Sequence, residues 1–141
     1  MTILGSDSRI AIFSVNHIQS APTIAQLKSI HKHYDDIIAK GIDEVYCISF
    51  CDFVMFDFLM PKFSNKVKFK QFSENELTQF QTLLNKRGHP KFLKDYWQFA
   101  CVINHGQVEQ YIEQPFTVKL SADTLADIYS GVTPVTLLTK I

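Results

Sequence analysis

Few side chains in this sequence could carry chemistry, and their spacing narrows what that chemistry could be. The three cysteines, Cys47, Cys51 and Cys101, form no C-x-x-C pair, so neither a zinc site nor a disulfide framework is written into them. Cys47 and Cys101 each sit inside an apolar run, the setting of a packed core thiol. Cys51 differs, because it falls where a strand would end and a helix would begin. A helix N-terminus lowers a thiol pKa, while the adjacent Asp52 raises it. Cys51 therefore reads either as a small buried filler or as a candidate redox thiol. Were Cys47 and Cys51 in one straight strand, they would stand roughly 13 Å apart, too far for a bridge. His31 and His33 lie two apart and face different ways on a helix, which excludes an i, i+4 metal pair. They read as surface histidines, as does His17, which could also line a loop pocket. Ser20 with a histidine offers a nucleophile and a base, but no carboxylate is placed to orient the base.

The remaining composition bounds the answer. At 141 residues, with 46% hydrophobic and 20% charged side chains, the chain fits one domain, residues 1–141, with a buried core. Lys+Arg and Asp+Glu are both 14, a balance that argues against a nucleic-acid or anionic-membrane surface. The longest apolar stretch, Phe53 to Met60, is interrupted by Asp57 and falls short of the ~20 residues a membrane helix needs. The first residues show no secretory signal. With its odd cysteine count, the chain is expected in the reducing cytoplasm, without cofactor or metal.

The elements that must position these groups follow from periodicity. Arg9 to Val15 and Glu44 to Phe50 are short apolar runs that predict buried strands. Between them Ile24, Leu27, Ile30, Tyr34, Ile37 and Ile38 form a helical stripe that starts near Pro22 and Thr23 and stops at Gly41. Strand, helix, strand is the βαβ unit, and its strands are parallel. A short helix is predicted over 53–63 and a half-buried or edge strand over 66–72. Another helix over 76–84 carries Leu77, Phe80 and Leu84 on one face. The segment 85–91 reads as a loop. Tyr96 to Ile103 and Gln107 to Ile112 flank Asn104-His105-Gly106 as a hairpin, and a closing helix runs from Ser121 to Tyr129. This is an α/β domain.

The order and content of these segments resemble a known family. Residues 34–55 (YDDIIAKGIDEVYCISFCDFVM), residues 95–114 (DYWQFACVINHGQVEQYIEQ) and residues 121–128 (SADTLADI) are similar to blocks of the peroxiredoxins, in particular the atypical two-cysteine subfamily usually numbered five. The resemblance implies a thioredoxin-like fold, a central mixed sheet flanked by helices, a thiol peroxidase ancestry and a homodimer. It also implies a site with the motif Pro-x-x-x-Thr/Ser-x-x-Cys before the first helix and an arginine in the hairpin strand.

The sequence departs from that motif. Counting forward from Phe13-Ser14 sets Asn16 on the proline, Ser20 on the hydroxyl and Thr23 on the peroxidatic cysteine. Counting back from Gly41 sets Pro22 there instead. The arginine falls on Gln98. Asn16, His17, Ser20, Thr23 and Gln98 thus outline a vestigial pocket in which only the hydroxyl of Ser20 survives. Peroxide reduction needs an atom that attacks oxygen, becomes a sulfenic acid and is then reduced. An alcohol has no such ladder, and a glutamine supplies no cation to stabilise a thiolate. The expectation is a binding or regulatory protein without thiol peroxidase activity. The alternative is a peroxidase or redox sensor that uses Cys51, on the same sheet rim as Thr23. Phe50, Phe53, Phe56, Phe58 and Phe63 are more rings than one short helix face can bury, so Phe50, Phe53 and Phe56 are candidates for a dimer interface as well as for core packing.

Overall fold

The computed structural model describes residues 7–15, 21–50, 60–113 and 137–138. The two apolar runs become parallel neighbours, β1 (Arg9–Ser14) and β2 (Glu44–Ser49), paired from Ile10↔Glu44 to Ser14↔Ile48. The intervening stripe forms α1 (Ala21–Lys32) and α2 (Tyr34–Ile38). It is one stripe but two helices, because His33 lies outside helical geometry, at φ −97° and ψ 8°. Gly41 ends the crossover at φ +85°, a left-handed conformation that costs glycine little.

A 3₁₀ turn at Met60–Lys62 precedes β3 (Lys68–Gln71), which pairs parallel to β2 at the sheet edge. Its lysines point to solvent and alternate with half-buried residues. The next helix, α3 (Glu74–Leu83), opens on a capping box in which the Ser73 hydroxyl accepts from the Glu76 N–H and the Glu76 carboxylate accepts from the Ser73 N–H. Leu77, Phe80 and Leu84 are buried, as the spacing predicts.

The segment 85–91 is not wholly loop. A helix, α4 (Pro90–Tyr96), begins inside it, with His89 as N-cap and Pro90 in the first turn. Proline suits that place because its missing N–H would be unpaired there anyway. The following strand accordingly starts later than its apolar run, as β4 (Phe99–Asn104). It joins β5 (Gln107–Glu113) through His105 and Gly106, at φ 53° and 79°, the two positive φ values of a type I′ hairpin turn.

Among the described residues the sheet order is β3-β2-β1-β4-β5, with β4 antiparallel to both β1 and β5. Strand alternation sends Ala11, Phe13, Val45, Cys47, Ala100 and Val102 to one face, where they pack with Leu27, Ile30 and Ile37 of α1 and α2. Ile10, Ile12, Tyr46, Ile48, Phe99 and Cys101 go to the other face, against Leu77 and Phe80 of α3 and Leu93 of α4. The result is a mixed sheet between two helical layers. No described helix is long and apolar enough to cross a membrane. Of the helix predicted over 53–63 only the 3₁₀ turn at Met60–Lys62 falls in the described residues; residues 53–59 and the helix predicted over 121–129 lie outside them.

Candidate functional site

The parallel strands β1 and β2 run the same way, so their carboxyl ends share one rim, where open α/β sheets bind ligands. Val15 continues β1 there and donates to the Ile48 carbonyl at 2.8 Å. Because β4 runs antiparallel with Phe13↔Ala100, the same register sets Gln98 opposite Val15. Gln98 is buried, at 6% exposure. The rim thus joins the end of β1, the end of β2 and the residue of the predicted cation position. Pro22 and Thr23 fall in the first turn of α1.

Ser14 fixes this corner. It is fully buried, and its hydroxyl accepts from the Phe99 N–H at 2.8 Å while donating to the Trp97 carbonyl at 3.1 Å. These two bonds bracket Gln98 and hold its backbone to β1. The signal in the sequence was a lone hydroxyl inside the run RIAIFSV, and sequence reasoning passed over it. A second missed group is Gln26, 8% exposed, whose Oε1 has no hydrogen-bond partner among the described residues.

Beside the rim stands an aromatic cluster. Phe50 stacks on Trp97 with ring centres 5.9 Å apart and planes 8° apart, and meets Phe80 edge-on at 5.7 Å. The Trp97 indole N–H donates to the Tyr111 hydroxyl at 2.8 Å. Phe50 is therefore a core residue, 4% exposed, which corrects its reading as a dimer-interface candidate: its ring is already covered by this chain's own rings. Phe53 and Phe56 lie outside the described residues.

The thiols separate by face. Cys47 belongs to the core on the α1 side and Cys101 to the core on the α3 side, so the sheet stands between them and they cannot pair. Both are fully buried, and that burial pushes both thiols well above the usual thiol range. At neutral pH neither presents a thiolate, the form that attacks an oxidant. The core reading of both is borne out. Cys51, Asn16, His17 and Ser20 lie outside the described residues.

His31 and His33 are half-buried and hydrogen-bonded rather than plain surface groups. Ser64 explains the first. Its Oγ accepts from the N–H groups of Lys66 and Val67, both at 3.1 Å. Its own proton is then directed to His31 Nδ1 at 2.6 Å. This pair ties α1 to the turn before β3. It lies thirty-three residues apart in sequence, which no local pattern reveals.

A mixed sheet with this strand order, helices on both faces and a helix opening at the carboxyl end of β1 is a thioredoxin-like fold. Solved structures share it. Reduced Prx3 from Vibrio vulnificus in complex with hydrogen peroxide superposes with a TM-score of 0.67 at 17% identity, over 97% of this chain and 80% of that one. A structure described as a peroxiredoxin gives a TM-score of 0.66 at 15% identity, over 98% of this chain and 82% of that one. In sequence, the chain is 30% identical to peroxiredoxin y4vD of Sinorhizobium fredii over 112 residues, 77% of this chain and 59% of the relative. It is 29% identical to a peroxiredoxin of Rhizobium etli, over 77% of this chain and 62% of that relative. The chain spans about three fifths of the length of these curated relatives. No family model matches the sequence. Sequence and fold together show that the chain is similar to peroxiredoxins.

Proposed function

We propose that this peroxiredoxin-like chain has no thiol peroxidase activity and acts by binding, as a regulatory homodimer in the reducing cytoplasm. The observation that carries the reading is the first turn of α1. There the family motif, aligned on either anchor, sets Thr23 or Pro22 where a cysteine is required. Two further observations support it. Gln98 occupies the cation position and sits buried at the rim, and Cys47 and Cys101 are fully buried with raised pKa values. The Vibrio vulnificus structure is described with hydrogen peroxide bound to the reduced protein. In this chain the aligned positions carry an alcohol or a proline ring, neither of which can be oxidised to a sulfenic acid and reduced again. The blocks at 34–55 and 95–114 favour descent from the atypical two-cysteine subfamily numbered five.

The buried side chain of Gln26 in α1 suits contact with a hydrogen-bond donor. The Gln26 amide oxygen lacks a partner among the described residues, and a buried acceptor of that kind gains by meeting a donor. The test is peroxide treatment in the presence of dimedone, followed by peptide mass spectrometry. The expected result is no dimedone adduct on Cys47, Cys51 or Cys101 under conditions that label a low-pKa control thiol. A stoichiometric adduct on Cys51 would overturn the reading in favour of a relocated redox centre. Sedimentation at micromolar concentration checks the dimer, and a monomer there would refute that part.

A further inference from the structure

The bond between His31 and Ser64 joins α1 to the turn before β3, and the oxygen at its centre has no capacity to spare. A serine hydroxyl carries one proton and two lone pairs. Both lone pairs of Ser64 Oγ are taken, by the N–H groups of Lys66 and Val67 at 3.1 Å each. The remaining proton goes to His31 Nδ1 at 2.6 Å. His31 therefore accepts at Nδ1 and carries its own proton on Nε2. Ser64 is buried, at 5% exposure, and His31 is half-buried, so solvent reaches the ring more readily than the hydroxyl. The same serine lines a concavity of about 270 Å³ with Met60, Pro61, Asn65, Val67 and Phe69. His33 makes the opposite kind of bond. Its Nδ1 meets the Ser29 carbonyl at 2.9 Å, and a carbonyl only accepts, so that nitrogen is a donor.

We propose that this joint is a proton-operated latch: when His31 takes a proton from solvent at Nδ1, the turn at residues 64–67 is released from α1 and the wall of the concavity loosens. Histidine is the side chain whose charge changes in the physiological range. Neutral imidazole accepts at one nitrogen, whereas imidazolium donates at both. After protonation two donors face each other across the joint, unless Ser64 turns its proton away and gives up one of its two backbone bonds. In either case one hydrogen bond of the joint is lost. Protonation of His33 breaks nothing, because its Nδ1 donates in both states. The other titratable groups on the elements that meet here are Lys28 and Lys32 of α1, Tyr34, Asp35 and Asp36 of α2, and Lys62 and Lys66 of the turn. Lys66 and Asp35 form an exposed ion pair across the same joint at 3.5 Å, and neither changes charge near neutrality. That pair keeps the release local to the turn. The latch uses no residue of the peroxiredoxin motif and is independent of the reading of the α1 rim.

The experiment follows the nitrogen-labelled full chain by NMR between about pH 8 and pH 5, the range in which histidine titrates. Imidazole nitrogen shifts report which ring atom holds the proton, and amide exchange, corrected for its intrinsic pH dependence, reports the backbone bonds of the turn. At the alkaline end His31 is expected to be protonated on Nε2 alone, with the Lys66 and Val67 amides protected. Toward acid, protection at one or both is expected to fall roughly fivefold, the scale of one net hydrogen bond, in step with protonation of His31 and not with that of His33. The variant H31N keeps an oxygen acceptor that does not titrate, so its turn is expected to stay protected across the range. H33N is expected to respond to acid as the unmodified chain does. A proton on His31 Nδ1 at the alkaline end overturns the proposal. So does protection that is equal at both ends, a loss that follows His33, or the same loss in H31N.

Discussion

Replacing Ser14 by alanine tests how the rim is held. The substitution removes one oxygen that accepts from the Phe99 N–H and donates to the Trp97 carbonyl, at a site with no solvent access. The Phe99 N–H is then buried without a partner, at a cost of about 1–3 kcal/mol. The Trp97 carbonyl also loses a donor, and the small void left by one oxygen adds little, so a total near 2 kcal/mol is expected. For a chain of this size each kcal/mol moves the midpoint of thermal unfolding by roughly 3 °C, giving a fall of about 6 °C. Urea unfolding of S14A should show a lower midpoint with an unchanged slope, since the exposed surface does not change. Thr78→Ala serves as the control. Its hydroxyl also donates to a backbone carbonyl, that of Glu74, but in the open, so its loss should stay within about 0.5 kcal/mol. An S14A variant within 0.5 kcal/mol of the unmodified chain would refute the claim that this hydroxyl anchors the Gln98 segment.

Two further expectations follow from charge and burial. Cys47 and Cys101 should resist a thiol-modifying reagent in native buffer and react only as the chain unfolds; rapid labelling of either, located by peptide mapping, would contradict their place in the two cores. The Arg9 guanidinium hydrogen-bonds both carboxylate oxygens of Glu109 and holds its pKa below the usual carboxylate range. A depressed pKa contributes stability above the unfolded-state value and loses it as pH falls through the folded one. Glu109→Gln should therefore be slightly less stable at pH 7 and show a shallower loss toward acid, measured as urea midpoints from pH 7 to pH 3. Parallel curves for the variant and the unmodified chain would refute the pairing.

The parts of the fold that a local pattern controls were legible in the sequence. β1 and β2 read as apolar runs, and α3 as a stripe of Leu77, Phe80 and Leu84 on one face. The hairpin read from Asn104-His105-Gly106, because only a turn with positive φ joins those strands so tightly. The break at His33 and the helix α4 were not legible. In the latter, Gly88 and Pro90 look like loop punctuation, whereas Pro90 is the first helical residue. What long-range packing decides was also hidden: the Ser14 bridge to Phe99 and the Ser64 bond to His31 join distant segments. Phe50 looked available to a partner until Trp97 and Phe80 were seen to cover it. The candidate site was legible as a set of substitutions, Thr23 or Pro22 and Gln98, because a family motif lends those positions meaning. Gln26 lay outside that motif, and only burial singles it out.

The most direct measurement is consumption of hydrogen peroxide by the purified full chain with a dithiol reductant, compared with the same concentration of free cysteine and with the Cys51→Ala variant. The account expects the unmodified chain and the variant to consume peroxide alike, and no faster than the free thiol. Turnover well above free cysteine would contradict it, and abolition of that turnover by Cys51→Ala would move the chemistry to that thiol.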